Sequence, residues 1–153
     1  MGNSGVYVLW LHLPQPMSIS IGKLGTFSFE SGLYAYTGSA QRNLAQRVAR
    51  HRRLEKKLHW HIDYLRAKAH FQGAAVFFDH GKASECWFAK QLLHLPGASC
   101  PVPGFGSSDC RCEAHLVEIP LSLLEERSIF SGNSVHDVDL GTAQTLALLN
   151  ARD

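Results

Sequence analysis

The stretch GVYVLWLHL, from Gly5 to Leu13, decides the fold, because it is a long run of β-branched, aromatic and other apolar residues. Such a run predicts a buried strand, and Pro14 and Pro16 end it because proline cannot donate to a β-ladder. Two segments with alternating apolar residues follow, Met17 to Ile21 and Thr26 to Glu30. They predict a hairpin, so the chain begins as an antiparallel meander.

The period of the apolar residues changes after a further predicted strand, Leu33 to Thr37. From Gln41 onward the apolar residues recur four apart, and Asn43, Arg47 and His51 form a polar stripe at i, i+4 and i+8. This spacing indicates an amphipathic helix. The rest of the chain predicts a helix from Leu54 to Lys68 that buries Leu58, a strand from Phe71 to Phe78, a helix from Ser84 to Leu93, a strand from Ala114 to Ile119, and helices from Leu121 to Arg127 and from Thr142 to Asn150.

These elements predict an α/β (α+β) fold, in which helices flank a small antiparallel central sheet with an inserted N-terminal hairpin. A chain of 153 residues, 45% of them hydrophobic, can form one core. We assign residues 1–120 to the main domain and 121–153 to a short helical extension packed on the same domain. No apolar run approaches the roughly 20 residues of a membrane helix, and residues 1–7 do not resemble a signal peptide. We therefore expect no membrane partner and a cytoplasmic location.

The basic residues are clustered, although the net charge is only +2. Seven of the fifteen lie between Gln41 and Lys57, namely Arg42, Arg47, Arg50, Arg52, Arg53, Lys56 and Lys57. The cluster has two interpretations. It is either an ordinary solvated helix face or a surface that contacts phosphates, since clustered cations release counterions when they neutralise a polyanion.

Short motifs on the predicted strands and helices resemble those of the GIY-YIG nucleases. Gly5-Val6-Tyr7 resembles the first signature of that family, and Tyr36-Thr37-Gly38 resembles the second. The helix that contains Arg47 and His51 resembles the one that carries the family's catalytic arginine, and Glu85 matches its single metal-binding glutamate. Tyr7 and Tyr36 lie 29 positions apart, where the family usually has a tight hairpin, so we interpret Met17 to Glu30 as an insertion.

The resemblance extends to one branch of that family, whose members are sometimes fused to endonuclease III-type glycosylases. The segments Lys57 to Tyr64 and Gly104 to Cys110 carry this similarity, which reaches about Leu116. It implies a metal-dependent endonuclease with one Mg²⁺ or Mn²⁺ ion. The expected partner is nucleic acid, DNA more than RNA.

The residues that the resemblance brings together suit phosphodiester hydrolysis. The planar fork of Arg47 fits the charge that grows on phosphorus, and one carboxylate, Glu85, is enough for a Mg²⁺ ion that keeps most of its waters. Tyr7 and Tyr36 would activate the attacking water, with Arg47 favouring the phenolate of Tyr7, and His51 would assist. Each residue also has an ordinary structural interpretation, since strand tyrosines usually pack and surface arginines are common.

The histidines and cysteines allow further sites. His59 and Asp63 share a helix face, so Asp63 would orient His59, whereas His61 points elsewhere and could contact phosphate. Cys110, Cys112 and His115, with Cys100 as a further thiol, form a better zinc candidate than the histidines near Asp63. Their spacing lacks the paired C-x2-C of reliable zinc sites, so plain buried thiols are the alternative. Disulfides are not expected.

Three functions therefore remain open at the level of sequence. The first is a metal-dependent nuclease, whose nucleic-acid contacts would be Arg42, Arg50, Arg52, Arg53, Lys56, Lys57 and His61. The second is a non-catalytic nucleic-acid-binding module of the same fold, and the third is a zinc-stabilised interaction domain. The loop from Gly104 to Ser108 could either wrap a phosphate with backbone N–H groups or simply connect two elements.

Overall fold

The structure is a computed structural model that describes residues 3–106, 114–129 and 139–150. Its elements, in chain order, are β1 (Gly5–Leu13), β2 (Met17–Ile21), β3 (Gly25–Phe29), β4 (Gly32–Ala40), α1 (Leu44–Arg52), α2 (His61–Arg66), β5 (His70–Phe78), α3 (Ala83–Leu93), β6 (Leu116–Ile119), α4 (Leu121–Glu126) and α5 (Thr142–Asn150). Within these described ranges, no helix combines the length and the apolar character needed to cross a bilayer.

The central sheet has four strands in the order β5-β1-β4-β6, and every neighbouring pair is antiparallel. Strand β1 lies inside the sheet and is buried along nearly its whole length, as its continuous apolar sequence predicts. The predicted fold class, an α+β fold with a small antiparallel sheet and flanking helices, is confirmed.

The segment between β1 and β4 forms a separate two-stranded sheet, in which β2 pairs antiparallel with β3. Ile19, Ile21 and Phe29 bury one face of this hairpin in the core. The predicted insertion is therefore confirmed. Because the hairpin stands outside the central sheet, β1 and β4 pair directly although they are distant in sequence.

The central sheet has a core on each face. One core packs the hairpin, α1 and α2 against the side of the sheet that carries Tyr7 and Tyr36. The other packs Trp10 with residues of α3, α4 and α5, including Leu92 and Leu148. The indole N–H of Trp10 donates a buried hydrogen bond of 2.9 Å to the Thr145 hydroxyl, which ties α5 to the sheet.

The second helix differs from its prediction, because it spans only His61–Arg66 and not Leu54 to Lys68. Leu58, predicted to be buried, is 42% exposed. The buried Asp63 carboxylate accepts the backbone N–H groups of His59 and Trp60, so these donors are satisfied by a side chain at the start of the helix. The segment before α2 is therefore an irregular connection.

Candidate functional site

The two tyrosines of the motifs lie side by side on one face of the sheet. Tyr7 pairs with Gly38 and Leu9 pairs with Tyr36, so the tyrosines are diagonal neighbours on adjacent strands. A Cβ atom at Gly38 would lie 2.5 Å from Cζ of Tyr7. The Tyr7 ring therefore needs glycine opposite it, which gives the Tyr-x-Gly motif a physical reason.

His51, on helix α1, forms a buried hydrogen bond with the Tyr7 hydroxyl, in which Tyr7 Oη and His51 Nε2 are 2.9 Å apart. Burial lowers the pKa of His51 to about 3, so the imidazole is neutral at physiological pH. Burial also raises the pKa of Tyr7 to about 12, although the nearby Arg47 acts in the opposite direction. Arg47 therefore acts in the expected direction, toward the phenolate, but desolvation outweighs it and the net pKa of Tyr7 is raised. Burial likewise holds the pKa of Tyr36 well above its usual value.

His51 should make the stability of the fold sensitive to acid. Its pKa is about 3 when folded and about 6.5 when unfolded, so the unfolded state takes up the proton first as pH falls. This contribution is almost fully present at about pH 7.5, and roughly 2 kcal/mol of it is lost as the pH falls from there to about pH 5. We expect His51→Gln to remove that loss, which urea unfolding near the two pH values measures. His59→Gln, at an exposed histidine, is the control, and an unchanged pH dependence in both variants would contradict the assignment.

Arg47 projects from α1 toward the end of β4. Its Nη1 donates to the Ser39 carbonyl oxygen at 3.4 Å, and its guanidinium lies 4.7 Å from the ring centre of Trp60. Among the residues that the structure describes, no carboxylate forms an ion pair with Arg47. Within the described ranges, its charge therefore has no acidic partner.

Glu85, in the first turn of α3, contacts two side chains that no pattern in the sequence links to it. The Ser39 hydroxyl donates to Oε2, and His115 Nδ1 lies 2.8 Å from Oε1. Burial alone would raise the pKa of Glu85, but these contacts outweigh it and the net shift is downward. Glu85 is thus a carboxylate at neutral pH, with a side chain that is 12% exposed.

These residues line one cleft of about 690 Å³. Tyr7, Tyr36, Arg47 and Glu85 all contribute to its wall, whereas His51 lies behind Tyr7 and is not part of the lining. The cleft also contains basic and aromatic residues, namely Arg42, His59, Trp60, His61 and Lys82. Lys82 was not among the predicted site residues, because it lies outside the basic cluster in sequence.

The structure divides the predicted nucleic-acid contacts into three groups. Arg42 and His61 line the cleft. Arg52, Arg53 and Lys57 are exposed but do not line it. The last group, Arg50 and Lys56, is engaged in contacts within the fold.

Arg50 and Lys56 both hold parts of the fold together. Arg50 donates two hydrogen bonds of 3.0 and 3.1 Å to the fully buried Asp63 carboxylate. The Lys56 side chain is 4% exposed, and its ammonium donates to the Arg50 and His51 carbonyl oxygens at 3.0 Å each. Lys56 thus binds the carbonyl end of α1, which favours cations, and burial lowers its pKa to about 8.

The histidines around α2 also differ from their prediction. Asp63 contacts the backbone N–H of His59, not an imidazole on a shared helix face, because His59 precedes the helix. His61 Nδ1 accepts the Gly106 N–H at 2.9 Å, which leaves Nε2 as the protonated nitrogen of the neutral ring. The N–H of Phe105 is bonded as well, to the Val102 carbonyl. These two amides of the glycine loop are therefore not available to wrap a phosphate.

The predicted zinc ligands lie only in part within the described residues. Cys110 and Cys112 lie outside them, and His115 contacts Glu85 on one side and Cys86 Sγ, at 3.7 Å, on the other. Cys86 is disulfide-bonded, so the expectation of no disulfide is wrong for this residue. Within the described ranges, no group of three or more metal-binding side chains occurs.

The fold and the site define a small α+β protein with a polar, cation-rich cleft on one face of an antiparallel sheet. The chain belongs to the DUF123 family, a domain of unknown function, whose family model matches residues 6–132. That range contains Tyr7, Tyr36, Arg47 and Glu85. Searches of curated proteins and of solved structures found no match to this chain.

Proposed function

We propose that this chain is a metal-dependent endonuclease of the GIY-YIG type, which hydrolyses nucleic-acid phosphodiester bonds, with DNA rather than RNA proposed as its substrate. One observation carries the proposal: Tyr7, Tyr36, Arg47 and Glu85, which are scattered over four elements, line the same cleft. A binding module would need only an exposed basic surface. A nuclease needs these four side chains within reach of one phosphate.

The chemistry of Glu85 fits one Mg²⁺ or Mn²⁺ ion. Its carboxylate is ionised and borders the cleft, and each oxygen keeps a lone pair after accepting from Ser39 or contacting His115. A hard cation with a single protein carboxylate takes its other ligands from water and substrate phosphate. When bound, such an ion would stabilise negative charge on the phosphate and lower the pKa of a water.

The remaining side chains of the cleft have separate roles in this proposal. Arg47 donates from its planar fork to the phosphate oxygens, where charge increases in the transition state. In this proposal the Tyr7 O–H donates a hydrogen bond to His51 Nε2, so that the phenolic oxygen can accept a hydrogen bond from the attacking water. Tyr36 completes the pocket for that water, and the Nε2–H of His61 is a donor for a phosphate oxygen.

A non-catalytic nucleic-acid-binding module is the second candidate, and a specific observation favours it. Tyr7 has a pKa of about 12 and His51 a pKa of about 3, so neither is a ready general base near neutral pH in the protein alone. The cations that line the cleft would serve equally well for binding.

A cleavage screen separates the two functions. Purified protein is incubated with Mg²⁺, Mn²⁺ or EDTA and with duplex, flap, branched and single-stranded DNA, together with the matching RNAs. We expect cleavage of at least one DNA substrate that depends on the metal and ends when EDTA is added. Binding to these substrates without cleavage under any metal condition would support the binding module instead.

A further inference from the structure

Arg47 needs a support that its described polar contacts do not supply. Its hydrogen bond to the Ser39 carbonyl is long, at 3.4 Å, and its side-chain contact with Tyr7 involves a neutral hydroxyl. No carboxylate among the described residues pairs with the guanidinium. A long, rotamer-rich side chain loses conformational freedom when it is fixed in one geometry. The position of the Arg47 guanidinium group therefore depends on what its planar face contacts.

The indole ring of Trp60 is the surface that this planar face of Arg47 contacts. The guanidinium carbon of Arg47 lies 4.7 Å from the centre of the indole, and that of Arg50 lies 4.5 Å from it. The His51 ring is 5.5 Å away from the same indole, so Trp60 contacts three side chains of α1. Guanidinium groups bind tryptophan faces more strongly than any other aromatic face. Trp60 also lines the cleft, which places this contact at the site.

Asp63 fixes Trp60 in turn. The fully buried carboxylate accepts the N–H groups of His59 and Trp60 at 2.8 and 2.9 Å, and it is paired with both terminal nitrogens of Arg50. Burial would raise the pKa of Asp63, but these donors outweigh it and the net pKa is lowered. The buried Asp63 carboxylate thus ties the residues before α2 to Arg50 of α1.

We propose that Trp60 is a positioning residue for Arg47, which it holds at the phosphate site, and that the Asp63–Arg50 pair fixes Trp60 for this purpose. The inference rests on the proposed function, since it assigns Trp60 a role in the same reaction. It gives the segment Lys57–Tyr64 a purpose at the site beyond direct contact with nucleic acid. Trp60 acts through Arg47 and does not itself touch the reacting atoms.

The kinetic test compares Trp60→Ala and Trp60→Phe with Trp87→Leu, a change at a tryptophan that is 54% exposed and does not line the cleft. We expect Trp60→Ala to lower turnover at saturating substrate by about 10- to 100-fold with little change in KM, because the arginine is misplaced and not removed. Trp60→Phe should recover most of the turnover, and Trp87→Leu should match the wild type.

Adding Arg47→Ala to the Trp60→Ala variant should lower turnover far less than Arg47→Ala does in the wild type. A rise in KM with unchanged turnover would overturn the proposal and assign Trp60 to direct nucleic-acid contact.

A second measurement needs no activity. The Nε–H proton of Arg47, assigned by its loss in Arg47→Lys, should be shifted upfield by the indole ring in the NMR spectrum of the metal-free protein. The shift should disappear in Trp60→Ala and persist in Trp87→Leu. If the wild type cleaves nothing but shows this shift, the proposed function fails and the positioning contact stands. If it cleaves without the shift, the positioning inference fails alone.

Discussion

Glu85→Gln should abolish metal-dependent cleavage, with a loss in turnover of about 10³-fold or more, because an ion that stabilises the transition-state charge contributes several kcal/mol. The substitution keeps the size of the side chain and an oxygen that can accept from the Ser39 hydroxyl. We therefore expect the fold and the affinity for nucleic acid in EDTA to remain close to those of the wild type. Single-turnover cleavage, together with binding measured in EDTA, tests both parts of the expectation.

Glu125→Gln is the matched control, since Glu125 is an exposed acid on α4 that does not line the cleft. It should cleave like the wild type. Direct titration with Mn²⁺, followed by electron paramagnetic resonance, should show weaker binding only in Glu85→Gln. Wild-type turnover in the Glu85 variant would remove this residue from the metal site.

The parts of the site that could be predicted from the sequence lie at fixed places in regular elements. Tyr7 and Tyr36 follow from the resemblance of their triplets to the two GIY-YIG motifs, and strand periodicity only places them on strands. Arg47 and His51 follow from the i, i+4 spacing of α1. Each of these predictions needs only local periodicity and a motif, so no knowledge of tertiary packing was required.

The supports of these residues could not be predicted, because they are tertiary contacts without a local pattern. Ser39 and His115 meet at Glu85 from β4 and from the start of β6, which are distant from it in sequence. Nothing in the basic cluster distinguishes the buried Lys56 from the exposed Lys57 before the chain folds. The raised pKa of Tyr7 could not be predicted for the same reason, because it depends on how deeply the folded protein buries the ring.

The second helix shows how a side chain can override periodicity. Leu58, Ile62 and Leu65 have helical spacing, but the Asp63 carboxylate satisfies the N–H groups of His59 and Trp60 and the helix begins only at His61. The irregular segment that results places Trp60 against Arg47. The difference between the prediction and the structure is thus part of how the cleft is built.

Arg47 provides the sharpest separation of catalysis from binding. If its fork acts on the transition state, Arg47→Ala should lower turnover at saturating substrate by about 10²- to 10³-fold and leave binding nearly unchanged. Arg47→Lys keeps the charge and loses the planar fork, so it should lower turnover almost as much.

Arg42→Ala, at an exposed residue of the same cleft, should instead weaken binding to all sequences alike and reduce the slope of log affinity against log salt by about one. Arg53 is exposed but does not line the cleft, so Arg53→Ala is the control for removing a positive charge at a distance from the site. If both Arg47 variants lose affinity and keep turnover, as Arg42→Ala is expected to do, then Arg47 only clamps phosphate and the binding-module function is the better one.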